Sequence, residues 1–157
     1  MLAFRQLEDT ATPLMERIGG MLSGDIRSGC ESAAAEKFKE IALANLGFPP
    51  GRDRPEVWAD LSDSPMGLKY QKKVGRSIAT LFETGAMAKS VQIGVSEGTE
   101  VVCLSEYGAK HQFGDSEKSL PARPFFPMDE NEVITPQSER ECLDAAQQQL
   151  DEMLNKL

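Results

Sequence analysis

Near residue 90 the apolar period of this chain shortens from about 3.6 residues to 2. Val91, Ile93 and Val95 alternate with Ser90, Gln92 and Gly94, as the two faces of a half-buried strand do. Ser96-Glu97-Gly98-Thr99 carries turn chemistry, and Val101 to Leu104 supplies a returning strand. The pair predicts a β-hairpin with a loop longer than two residues. Almost everything before it has helical spacing, and the last segment returns to that spacing. Helices segregated from a small antiparallel sheet make an α+β fold.

Three helices are predicted ahead of the hairpin. In the first, Leu7, Ala11, Leu14, Ile18 and Met21 share one face, with Pro13 as a kink or break and Gly19-Gly20 as a stop. The second is capped by Asp25 and carries Ile26, Cys30, Ala33, Ala34, Phe38, Ile41 and Leu46, until Gly47 and Pro49-Pro50-Gly51 end it. Residues 49–64 form an irregular connection that Trp58 and Leu61 pin to the core. The third begins at Ser64-Pro65, carries Leu68, Val74, Ile78, Leu81 and Phe82, and stops at Gly85.

After the hairpin, residues 114–119 are a polar loop. Leu120 to Met128 then holds Pro121, Pro124 and Pro127. Three prolines forbid a central strand, so this stretch is an edge strand or a polyproline-like arm. The final helix starts at Asp129, with Glu132 three residues on, or at Thr135-Pro136. Leu143, Ala146, Leu150, Met153, Leu154 and Leu157 form its stripe. The expected organisation is one domain over 1–157: a helical part to 48, the connection 49–64, a helix, hairpin and motif region over 65–128, and the last helix over 129–157.

Composition narrows the function classes. The net charge of −8 opposes binding to a phosphate backbone. Lys69, Lys72, Lys73 and Arg76 are either a local basic patch or an ordinary solvated helix face. Cys30, Cys103 and Cys142 are odd in number and widely spaced. They read as buried free thiols, not as a disulfide framework or a zinc site. No apolar run reaches the ~20 residues of a membrane span, and no signal peptide is visible, so a soluble cytoplasmic protein without membrane partners is expected.

His111 is the single histidine. A hydrolase would pair it with Cys103 or Cys142, but neither cysteine sits in a nucleophile-elbow pattern. The plainer reading is that His111 bonds nearby backbone and orders the turn before Gly114, where a positive φ is expected. No catalytic, cofactor or metal site is predicted. Tyr107 and Phe113 are read as plugs for the top of the core. Arg123, between Ala122 and Pro124, aims a guanidinium suited to a carboxylate. Its acceptor lies either on a neighbouring subunit or on Asp115 or an acid of the last helix. Phe125 and Phe126 are adjacent on an extended arm, so their rings should face opposite ways. One ring then needs cover from a second chain or from the last helix. Arg123, Phe125 and Phe126 are thus candidate subunit contacts, and an open sheet edge points to self-association as well.

Two segments carry a resemblance. Tyr107-Gly108-Ala109-Lys110-His111-Gln112-Phe113-Gly114, a short polar loop, and Leu120-Pro121-Ala122-Arg123-Pro124-Phe125 resemble the paired signature of the phage virion-morphogenesis, or tail-completion, family. Upstream, Trp58 with Leu61-Ser62, and Leu81 through Thr84-Gly85 to Ser90-Val91, resemble the approach to that family's first strand. The likeness covers about residues 58–128; Gly108 stands where the family usually has Ala, and Pro127 where small residues are common. The resemblance implies a non-enzymatic assembly protein of a tailed phage or prophage. It would act in tail completion or head–tail joining, self-associate, possibly as a ring, and contact neck or tail-tube proteins. Its place would be the virion tail or neck, and the host cytoplasm during assembly. A head-closure or tail-terminator adaptor is the alternative at the same neck. A cysteine hydrolase of virion maturation and an adaptor that stays monomeric until it meets its partner are further alternatives.

Overall fold

A computed structural model describes residues 24–46, 85–95, 98–129 and 131–156. The first predicted helix, the connection with Trp58 and Leu61, and the third helix with Lys69, Lys72, Lys73 and Arg76 lie outside the described residues.

The elements are α1 (Gly24–Leu46), α2 (Ala86–Lys89), β1 (Val91–Val95), β2 (Thr99–Cys103), α3 (Gly108–Phe113) and α4 (Pro136–Leu154). The architecture is α+β, with long helices and a two-stranded antiparallel sheet. In α1, Asp25 lies inside the first turn, where its carboxylate faces the positive end of the helix dipole. Ile26, Cys30, Ala34, Phe38, Ala42 and Leu46 are buried at steps of four. That spacing makes a single ridge along the helix.

The last helix starts at Thr135-Pro136, with extended backbone at Thr135 and Pro in the first turn. Asp129 does other work. Its Oδ1 accepts the N–H groups of Asn131 and Val133 at 2.8 and 2.9 Å, which closes a turn ahead of the helix. The buried ridge of α4 is Ser138, Cys142 and Leu150, with half-buried Ala146 completing the steps of four. The expected stripe is therefore corrected: Leu143 is only half-buried and Leu154 is exposed. Small residues on the two ridges let α1 and α4 approach closely. At Gly29 a Cβ would lie 2.8 Å from Met153 Sδ.

The predicted hairpin is present, with Val91 opposite Cys103 and Ile93 opposite Val101, and its second strand begins at Thr99, ahead of the expected Val101. Leu104 N–H donates to Ser90 O at 2.9 Å and extends the ladder by one pair. Val91 and Val101 are buried in the cluster that includes Phe38. Val95 is 77% exposed, because the strand runs past the helix that covers its start. Cys103 is half-buried, whereas Cys30 and Cys142 are fully inside.

Three Phe rings dominate the centre. Phe38, Phe125 and Phe126 are each 2% exposed or less. Phe126 lies 5.6 Å from Phe38 and 4.7 Å from Phe125, centroid to centroid. The expectation that adjacent Phe125 and Phe126 point apart is corrected. The chain bends at Phe126-Pro127, so strict alternation is lost and α1, through Phe38, supplies the cover assigned to a second chain or the last helix. Truncating Phe38 removes the ring that joins helix to arm. Phe38→Ala is expected to cost about 3–5 kcal/mol, read as a lower midpoint in urea denaturation with an unchanged slope.

Candidate functional site: a side-chain latch on the proline arm

The two motif segments meet. Residues 108–113 form a short helix, α3, where a compact turn was expected. Gly114 then takes φ 79°, the positive value its identity allows. A Cβ there would stand 3.0 Å from both Ala122 N and Leu120 O. Asp115 and Leu120 exchange both backbone hydrogen bonds at 2.9 Å and close the polar loop between them. The chain therefore doubles back, and the arm runs alongside α3.

Gln112 holds it there. Its side chain is buried at 3% exposure. Oε1 accepts the backbone N–H groups of Phe125 and Phe126, both at 3.0 Å. Nε2 faces the carbonyls of Phe126 and Met128, each at 3.4 Å. The longer pair is the weaker one. Only this orientation of the amide sets donors against carbonyls and the acceptor against N–H groups. From the opposite side, Asn45 of α1 donates its Nδ2 to Phe125 O at 3.0 Å. The backbone of α3 adds one more bond, from Arg123 N–H to His111 O at 2.6 Å.

These contacts satisfy a buried segment that pairs with no strand among the described residues. Pro124 and Pro127 have no N–H to satisfy. The N–H groups of Arg123, Phe125, Phe126 and Met128 all have partners, the last through Phe126 O at 2.8 Å. Pro127 O accepts from Thr135 N–H at 2.9 Å, which ties the arm to the start of α4. The arm is thus neither an edge strand nor a free polyproline rod; only single bridges, at Leu120 and at Met128, touch its ends.

Several expected roles change. Tyr107 and Phe113 do not plug the core; they are 58% and 38% exposed. On the short helix they fall away from the arm that Gln112 faces. Leu104, 66% exposed, precedes them in the chain. The residues offered as partner contacts, Arg123, Phe125 and Phe126, are buried within this chain, Arg123 to 3% exposure. Of the two intramolecular acceptors suggested for Arg123, Asp115 sits 3.7 Å from Lys110 Nζ. His111 contributes its carbonyl, while its ring Nδ1 is buried with no hydrogen-bond partner. Burial first, and the Arg123 charge second, hold the His111 pKa below its ordinary value. Pro121 and Ala122 are half-buried along the arm.

Gln112 was expected as a structural residue of the motif, without its role in binding the arm; Asn45, its second support, was not singled out at all. A Gln between His111 and Phe113, followed by a stretch with Pro121, Pro124 and Pro127, was the available signal. Cys142 has no exposed surface, and Cys103 Sγ rests 3.3 Å from Ser90 Oγ. Among the described residues no group of three or more His, Cys, Asp or Glu side chains is placed to hold a metal ion. No helix among them is long and apolar enough to cross a membrane.

No family model matches the chain. An uncharacterized protein of Methanocaldococcus jannaschii is 35% identical over 74 residues, which cover 42% of this chain and 55% of that protein. The chain thus spans about half the length of that relative. No solved structure matches.

Gln112 is expected to matter more than its surface suggests. Gln112→Met keeps the volume but leaves the Phe125 and Phe126 N–H groups buried and unpaired. A loss of about 2–6 kcal/mol is expected, from about 1–3 kcal/mol for each of the two orphaned groups. Urea denaturation measures it, and a loss under about 1 kcal/mol would mean that the arm is held by its rings alone. A second test concerns Gly108, where a Cβ would fall 2.6 Å from Cys103 Sγ. Gly108→Ala should destabilise by about 1–3 kcal/mol. In a Cys103→Ala background most of that cost should vanish, because Ala is the better helix residue once the sulfur is gone.

Proposed function

We propose that this chain is a structural, non-enzymatic assembly protein of a tailed phage or prophage, acting in tail completion or head–tail joining through protein–protein contacts. The observation that carries the reading is the latch itself. The two segments that resemble the tail-completion signature form one unit, in which Gln112 binds the backbone of Phe125 and Phe126 at 3.0 Å. Such a unit is a rigid platform. Its buried residues hold shape, and its exposed apolar residues are left for a partner.

Those exposed residues are Leu104, Tyr107 and Phe113. Tyr and Phe presented on a braced element are the kind of anchor that carries binding energy at an interface. The partner surface is therefore assigned to the outer side of α3, in place of the buried arm. A second copy of the chain, forming a ring, and a neck or tail-tube subunit both fit this surface. A head-closure or tail-terminator adaptor at the same neck would use the same contacts. The net charge of −8 favours a basic partner face and disfavours nucleic acid.

The test is complementation. A phage or prophage carrying a nonsense allele of this gene is supplied with wild-type protein or with Tyr107→Asp/Phe113→Asp. Both side chains are solvent-exposed, so the variant should fold, as circular dichroism checks. The wild type should restore joined, infectious particles, and the variant should lower their titre by at least tenfold. Unjoined heads and tails in electron micrographs would locate the defect at the neck. Normal titre from the variant would remove the α3 surface from the proposal; normal particles without any copy of the gene would remove the assembly role.

A further inference from the structure

The latch contains a titratable group that its own bonds do not explain. His111 Nδ1 is buried and has no partner. It lies on the residue whose carbonyl binds Arg123 N–H at 2.6 Å, directly before Gln112. A neutral ring with its hydrogen on Nε2 leaves Nδ1 as a bare acceptor, the form that buries no unpaired donor there. A second proton has to arrive at Nδ1, where it makes a buried donor with no acceptor. It also makes a cation beside Arg123, the charge from the arm that acts on this ring. On α3 itself Lys110 is the neighbouring charge, and Asp115, the acid that follows, already sits 3.7 Å from Lys110 Nζ. Nδ1 itself has no hydrogen-bond acceptor within reach.

We infer that His111 makes the docking of the proline arm proton-sensitive: the arm is held on α3 while the ring is neutral, and acid favours its release. The inference stands on the latch geometry and holds whether or not the assembly role does. Release exposes Phe125, Phe126 and the backbone groups that Gln112 and Asn45 now bind. The direction follows from linkage. In the released arm the imidazole titrates near its ordinary value of 6.5, and in the docked arm it titrates lower. Above that value neither state takes a proton, and docking is at full strength. As the pH falls below it, only the released state gains one. Docking therefore weakens, by up to about tenfold per pH unit for a single proton, until the docked ring also titrates.

His111 is the only histidine in the chain, which makes the test clean. Hydrogen exchange at the Arg123, Phe125 and Phe126 amides is measured from pH 8 to 5, corrected for the intrinsic rate. Wild-type protein should lose protection at these amides, starting near pH 6.5. His111→Gln should remain flat over the same range, since it has no proton to gain. An equal loss in His111→Gln, or a wild type with constant protection, would overturn the inference. If His111→Gln does not fold, the single imidazole resonance of the wild type decides. Its titration must lie below 6.5 and accompany the loss of arm protection; a ring that titrates at or above 6.5 with the arm still protected refutes the switch.

Discussion

One primary amide organises the described part of this protein. Gln112 sets its oxygen against two N–H groups and its nitrogen against two carbonyls, all on the arm. No charged side chain could replace it. A Glu would face two carbonyls with a carboxylate, and a Lys would face two N–H groups with an ammonium. Each of its hydrogen bonds is worth about 0.5–1.5 kcal/mol net. The larger consequence is what the bonds permit. They allow a segment interrupted by prolines to be buried without a strand beside it, and so to carry two Phe rings into the centre.

That arrangement explains the neighbouring residues. Gly114 must turn at φ 79° with Ala122 and Leu120 backbone 3.0 Å from its absent Cβ. Asp115 and Leu120 close the loop with paired bonds, so the return path is short and its closure entropy small. Thr135 N–H binds Pro127 O before the helix begins, which fixes where α4 leaves the arm. Asn45 does the same from the end of α1. Helix α1, the arm and α4 are therefore positioned by side-chain and backbone bonds to one stretch of about five residues. The two-stranded sheet is too small to serve as the scaffold on its own.

Much of this was legible in the chain. The spacing of Ile26, Cys30, Ala34, Phe38 and Leu46 places α1, Thr135-Pro136 starts α4, and the alternation from Val91 sets the hairpin. Each is a local pattern in which period or cap chemistry decides. The arm was not readable in the same way. Three prolines say that Leu120 to Met128 is not a central strand, but nothing local says which side chain will satisfy it. Its partner is a Gln thirteen residues earlier and an Asn eighty residues earlier. The opposed faces expected for Phe125 and Phe126 assumed a straight strand, and the bend at Pro127 removes that premise. Tyr107 and Phe113 were assigned inward because they are aromatic; a one-turn helix that spends its inner face on Gln112 has to place them outside.

The same geometry moves the interaction surface. An arm with Arg-Pro-Phe-Phe invites the idea of an extended hand offered to a neighbour, and burial of Arg123, Phe125 and Phe126 argues against it. A residue already closed in by Phe38 and bonded through its backbone gains little from a second chain. It would first have to give up contacts of similar strength. Leu104, Tyr107 and Phe113 are in the opposite position, since their apolar surface is already in water and only gains from being covered. On the proposed reading, a partner that docks without opening the latch covers these three. A partner that takes the arm itself has to supply the energy of opening it, and a proton on His111 lowers that cost.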